Sequence, residues 1–185
     1  MNSINLMKQR YFAEIAFKGT AFHGWQMQPN ATSVQETFNK ALSTLFREKI
    51  KTVGAGRTDA GVHARYFAVH FDCNAFDPCL KSKIIYGLNS LLPDDIAVND
   101  LYPVISDAHA RYSAISRTYE YRLCQKKNPF ENEFSWFFPY QLNVGLMNQA
   151  CEILQKNNDF TSFSKLHSDV KTNRCKIFRA RWTEQ

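Results

Sequence analysis

The sequence predicts an α+β fold: two α/β units, over residues 1–105 and 106–185, built on mainly antiparallel sheet. Three observations predict it. Several short segments alternate apolar and polar residues, as half-buried strands do. Capped apolar stripes at helical spacing separate them. The remaining connections have hairpin length, which favours antiparallel neighbours over parallel crossovers.

In chain order, Tyr11 to Phe17 alternates aromatic and branched residues and reads as a strand. A loop from Lys18 to Asn30 follows, unusually rich in aromatics. Ser33-Val34-Gln35-Glu36 is a capping box, and Val34, Phe38, Ala41, Leu42, Leu45 and Phe46 form the apolar stripe of a first helix. Ile50 to Val53 reads as a short strand and His63 to Cys73 as a longer one, with Phe67, Val69 and Phe71 on one face. Pro78 opens a second helix carrying Leu80, Ile84, Leu88 and Leu91, and Pro93 stops it. Ile96 to Val104 reads as an edge strand, with Pro103 near its end. In the second unit, Ala114 to Cys124 reads as a long strand with Arg117, Tyr119 and Tyr121 on one face. An aromatic loop runs from Lys126 to Pro139. Asn143 caps a third helix with the stripe Val144, Met147, Ala150, Cys151 and Leu154, and Asn173 to Thr183 reads as a last strand.

Composition narrows the function. With 185 residues and 44% apolar content the chain can bury a real core. No apolar run is long enough to span a membrane, and the first ten residues hold no apolar core of a secretory signal, so a cytoplasmic protein is expected. The five cysteines, Cys73, Cys79, Cys124, Cys151 and Cys175, are odd in number and lack Cys-x-x-Cys spacing, against a disulfide framework or structural zinc. Net charge of +6 with 14% aromatic residues suits an acidic partner such as nucleic acid.

The densest chemical signal is Gly54-Ala55-Gly56-Arg57-Thr58-Asp59-Ala60-Gly61-Val62-His63-Ala64. Three glycines in so short a stretch mark a backbone with unusual dihedrals or a close approach. A phosphate loop needs Lys followed by Ser or Thr after its last glycine, and Ala60-Gly61-Val62 does not lead to it. A dinucleotide loop needs a third glycine where Asp59 stands. His63 and Asp59 lack further ligands for a metal, and His23, His70, His109 and His167 are scattered and read as surface or packed side chains. No nucleophilic serine or cysteine signature occurs. What remains is an aspartate two positions from an arginine: a nucleophile or base held beside a guanidinium, or a plain ion pair in which Asp59 caps the next segment.

That stretch, in order with Phe22-His23-Gly24-Trp25-Gln26, Gln28-Pro29-Asn30, Gly87-Leu88-Asn89, Leu92-Pro93, His109-Ala110-Arg111-Tyr112-Ser113-Ala114 and Ser116-Arg117-Thr118-Tyr119-Glu120-Tyr121, resembles the tRNA pseudouridine synthase A family. Asn128-Pro129 and Asp159-Phe160 with Phe163 also agree. The resemblance implies the pseudouridine synthase fold, with a central cleft between its two units. It implies a homodimer that isomerises uridine in the tRNA anticodon stem-loop, at positions 38 to 40, without cofactor or metal. It makes Asp59 the catalytic carboxylate, Arg57 the arginine beside it that helps hold the flipped nucleotide's place, and Tyr119 the ring that stacks on the uracil. His63, Arg65 and Arg111 become candidate RNA contacts, and His23 and Trp25 candidate contacts or supports. It further implies a strand and helix beyond Gln185 that would complete the second unit. The alternative is a non-catalytic RNA-binding module that retains the fold.

Overall fold

The computed structural model describes residues 8–164 and 172–184. Two compact units divide the chain, Met1–Tyr121 and Arg122–Gln185. Residues 106–121 therefore lie with the first unit, past the boundary drawn from the sequence, and the bonds that hold them there are described below.

The first unit contains strands β1 (Lys8–Phe17), β2 (Val53–Gly54), β3 (Ala64–Asn74) and β4 (Ile96–Val104), with helices α1 (Val34–Phe46) and α2 (Lys81–Leu91). The sheet order is β2-β3-β1-β4, and every pairing is antiparallel. The expected α+β character and the edge position of β4 both hold. Alternation decides the faces: Tyr11, Ala13, Ile15 and Phe17 of β1 and Phe67, Val69, Phe71 and Cys73 of β3 are buried together. In β4 the buried residues are Ile96, Val98 and then Leu101, which breaks strict alternation. The register explains it, because Ile15 faces Val98 while Glu14 faces Asp100, leaving Asn99 as a bulge that returns Leu101 to the core.

The helices cover that face. Ser33 Oγ accepts the Glu36 N–H at 3.2 Å, so the predicted cap is present. Val34, Phe38, Ala41 and Leu42 of α1 are buried, and Arg47, with φ of 55°, ends the helix in the left-handed region. A 3-10 turn over Pro78–Leu80, capped by Asp77, leads into α2. Only Leu88 of α2 is fully buried, whereas Leu80 and Leu91 remain exposed, so the predicted apolar face is narrower than its sequence stripe. Asn89 accepts the Val98 N–H at 2.7 Å and donates to the Val98 carbonyl at 3.0 Å, which ties α2 to β4. The Gly87-Leu88-Asn89 motif is thus accounted for by packing and a backbone clasp.

Three predicted strands are corrected. Over Ile50 to Val53, strand pairing begins only at Val53, because α1 side chains take the earlier backbone groups. Ser43 Oγ accepts from Ile50 N–H, Asn39 Oδ1 accepts from Thr52 N–H, and Gln35 donates to the Thr52 carbonyl. The long strand expected over Ala114 to Cys124 exists only as β5 (Leu123–Cys124). Ile115, Tyr119 and Tyr121 are 94%, 70% and 81% exposed, so alternation there reports no buried face. Over Asn173 to Thr183, only an isolated bridge from Asp159 to Arg174 forms. Further along, Asn148 clasps both backbone groups of Trp182, at 2.8 and 3.1 Å, where a neighbouring strand would have paired.

The second unit adds β6 (Trp136–Phe137), which pairs with β5 in parallel rather than antiparallel fashion, and α3 (Val144–Lys156). Asn143 Oδ1 accepts the Leu146 N–H at 2.9 Å, as its capping role requires. Within α3 Cys151 is buried and Ala150 is exposed, and Trp136, Phe138 and Tyr140 form a ladder of adjacent rings. All five cysteines are free thiols. No helix among the described residues is long and apolar enough to cross a membrane.

Candidate active site around the glycine loop

The glycine loop leaves the sheet edge at β2 and rejoins it at β3. Val53 and Gly54 pair with His70 and Val69, and the Ala55 N–H continues the ladder onto the Ala68 carbonyl at 2.8 Å. Beneath it, Trp25 is 3% exposed, its ring 4.6 Å from that of Phe67. A Cβ on Gly54 would stand 2.5 Å from Phe67 and 2.6 Å from Trp25, so the missing side chain is what lets these rings back the loop.

From Thr58 onward, the loop is fastened by the preceding aromatic loop. The Trp25 N–H donates to the Thr58 carbonyl at 3.3 Å, and the Gly61 N–H donates to the Phe22 carbonyl at 3.2 Å. Gly24, with φ of +83°, passes so close that a Cβ would lie 2.2 Å from the Thr58 oxygen. The Val62 N–H closes a turn onto the Asp59 carbonyl at 3.3 Å, and Gly61, at φ of +78°, occupies the turn's third position. A positive φ there is the mark of a type II turn. Thr58 Oγ1 is buried without a hydrogen-bond partner among the described residues.

The Asp59 side chain projects from this fastened backbone and is exposed. Among the described residues it takes no hydrogen bond and no ion pair, so the plain Arg57–Asp59 bridge is not its arrangement. Arg57 is exposed and lines, with Arg111, Trp25, Gln26, Gln35, Val53, Gly54 and Gly56, a cavity of about 170 Å³.

The other predicted site residues distribute unevenly. His63 Nδ1 accepts the Gly19 N–H at 3.0 Å, which fastens the far end of the loop. Arg65 is exposed at the start of β3, and His23 is exposed while its backbone bonds to Thr32 and Gln28. Trp25 is packed beneath the loop, with only its cavity edge available. Tyr119 stands 70% exposed on an irregular segment. His167 lies outside the described residues. Among the described residues, no three His, Cys, Asp or Glu side chains gather as a metal site requires.

One participant escaped the sequence reading. Arg117 donates from Nε and Nη2 to the Ala55 carbonyl, at 3.0 and 2.6 Å, and from Nη2 to the Arg111 carbonyl at 2.8 Å. It joins the glycine loop to the His109-Ala110-Arg111-Tyr112 turn. The signal available was its presence in the Ser116-to-Tyr121 motif, where alternation suggested a strand face instead.

The loop thus carries an exposed carboxyl, without a hydrogen bond or ion pair among the described residues, two positions from Arg57, which lines the cavity together with Arg111. A family model described as tRNA pseudouridine synthase matches residues 13–113, from within β1 through the Arg111 turn. A tRNA pseudouridine synthase A of Parabacteroides distasonis is 47% identical over 179 residues, covering 96% of this chain and 70% of that protein. The Porphyromonas gingivalis counterpart is 49% identical, covering 94% and 69%, and that of Bacillus subtilis is 38% identical, covering 92% and 70%. The chain belongs to the tRNA pseudouridine synthase family, whose members are isomerases converting uridine to pseudouridine.

Proposed function

We propose that this protein isomerises uridines of the tRNA anticodon stem-loop, at positions 38 to 40, with Asp59 as the catalytic carboxylate. The observation that carries the reading is the Asp59 side chain itself: exposed, without a protein partner among the described residues, and mounted on a loop pinned at Thr58 and Gly61. A carboxylate held so meets the substrate without first breaking a bond to the protein, and pre-positioning of this kind supplies much of an enzyme's advantage.

The reaction breaks the N1–C1′ bond and joins C1′ to C5, after which C5 gives up its hydrogen as a proton and N1, freed from the sugar, takes one up. It is redox-neutral, which agrees with a site made of a carboxylate, arginines and aromatics. The target base must leave its stack to reach Asp59. Tyr119 then stacks on the uracil, Arg57 holds the vacated place, and Arg111, Arg65, His63 and His23 contact phosphate or sugar. Trp25 supports the loop. The enzyme acts as a homodimer in the cytoplasm.

Tritium release from tRNA carrying [5-³H]uridine tests the reading. Asp59→Asn should abolish release while tRNA is still retained on a filter. Tyr119→Phe should keep stacking, whereas Tyr119→Ala should lose a base–aromatic contact of roughly 1–3 kcal/mol. Normal turnover by Asp59→Asn would overturn the assignment, and tRNA binding with no release by the wild-type protein would favour the non-catalytic module.

A further inference from the structure

We propose that His70 is a positioning residue of the isomerase: through its bond to the Ala110 N–H it fixes the turn that holds Arg111 at the arginine-lined cavity, where the Arg111 guanidinium takes a phosphodiester of the tRNA. The inference rests on the RNA reading of Arg111 given above.

His70 stands on β3, opposite Phe12 of β1 and Val53 of β2, on the sheet face away from the helices. It is 6% exposed, so its ring nitrogens must find partners within the protein. Its Nδ1 accepts the buried Ala110 N–H at 3.0 Å. The ring of His109 meets it edge-on, with centroids 4.6 Å apart, and His109 Nδ1 accepts the Arg111 and Tyr112 N–H groups at 3.2 and 3.3 Å. Two imidazoles in edge-to-face contact thus receive three successive backbone donors, those of Ala110, Arg111 and Tyr112. An imidazole accepts through Nδ1 only when that nitrogen carries no proton. Burial, with Arg10 and His109 nearby, depresses the His70 pKa to about 4, so it remains an acceptor at neutral pH.

Neighbouring bonds complete the latch. Arg10 Nη1 donates to the Ala108 carbonyl at 3.1 Å while its other nitrogens hold Asp72. Arg117 takes the Arg111 carbonyl from the loop side. The Arg111 backbone is therefore held on both sides, and its guanidinium lies 5.7 Å from the Tyr112 ring centroid. Of these bonds, the one from Ala110 to His70 is the buried one, so it should cost the most to leave unmade.

The test compares tRNA binding and tritium release across salt for the purified protein and four variants. Arg111→Ala should raise KM about tenfold with kcat within about twofold, and reduce the salt slope of binding by about 0.7–0.9, the loss of one phosphate contact. His70→Leu should do the same. His70→Asn, whose Oδ1 replaces Nδ1 as acceptor, should recover most of the affinity. His70→Leu combined with Arg111→Ala should be no weaker than Arg111→Ala alone, since both remove one interaction. An unchanged salt slope in His70→Leu, additive effects in the double variant, or Asn no better than Leu would overturn the positioning role. Should His70→Leu fail to fold, the ¹⁵N imidazole spectrum of the wild type decides: His70 must show a protonated Nε2 and bare Nδ1 from pH 5 to 8, and a protonated Nδ1 overturns the proposal. If Arg111→Ala binds tRNA normally, the RNA reading of Arg111 fails with it. If Arg111→Ala is impaired and His70→Leu is not, only the positioning role fails.

Discussion

Replacing Gly24 by Ala should damage catalysis more than folding. Two costs arise at this position. At φ of +83° an alanine loses about 1–2 kcal/mol to its own Cβ–carbonyl contact. That Cβ would also lie 2.2 Å from the Thr58 oxygen and 3.1 Å from the Asp59 carbonyl carbon, both backbone atoms that cannot rotate aside. Overpacking of this kind costs about 1–3 kcal/mol, giving a total of roughly 2–5 kcal/mol. A domain of ordinary stability, about 5–15 kcal/mol, survives that loss. Relief of the clash requires the Thr58–Asp59 backbone to retreat by roughly 1 Å, a displacement that can cost about 100-fold in rate when it moves a reacting group. Urea midpoints and tritium release read the two effects separately. Two other glycines serve as controls. Gly61→Ala meets nothing within 4 Å but has φ of +78°, so only the conformational cost of about 1–2 kcal/mol applies. Gly56→Ala finds its nearest neighbour, Arg117 Nε, at 3.6 Å and should change stability by less than about 0.5 kcal/mol. A Gly24→Ala protein with wild-type turnover and an unmoved urea midpoint would refute the claim that the aromatic loop fixes the Asp59 backbone.

Two further outcomes are expected. Phe38→Ala, at a fully buried α1 position, should lower unfolding free energy by about 3–5 kcal/mol, seen as a shifted urea midpoint at unchanged slope. Stability should also fall as pH drops from about 6.5 towards 4: His70 binds its proton in the unfolded chain at the ordinary value but in the native state only near pH 4, a difference worth about 3 kcal/mol. Below that window Asp72, whose pKa is lowered by its hydrogen bonds to Arg10, and Glu48, lowered by Lys8, should lose their pairing in turn. Equal urea midpoints at pH 4 and 6.5 would contradict the buried, neutral state of His70.

Legible from the chain alone are the elements whose stability is local or set by one buried face. The Ser33 and Asn143 caps, the α1 stripe, the alternation of β1 and β3, and the glycine loop with its Arg and Asp all follow from residue type and spacing. Alternation misled at Ala114 to Cys124 and Asn173 to Thr183, since it reports a buried face only where a partner strand supplies one. How far pairing extends depends on packing, because α1 side chains capture the Thr52 backbone and Asn148 captures that of Trp182. Packing likewise brings Arg57 and Arg111, far apart in the chain, to one cavity, and lets His70 and Arg117 hold the Arg111 turn. Most of these contacts join residues more than ten positions apart through one or two hydrogen bonds, and no periodicity in a sequence encodes a bond of that kind. Asp59 was legible as a candidate from its motif, while its release from any protein partner among the described residues became visible only once the loop was seen pinned through its backbone.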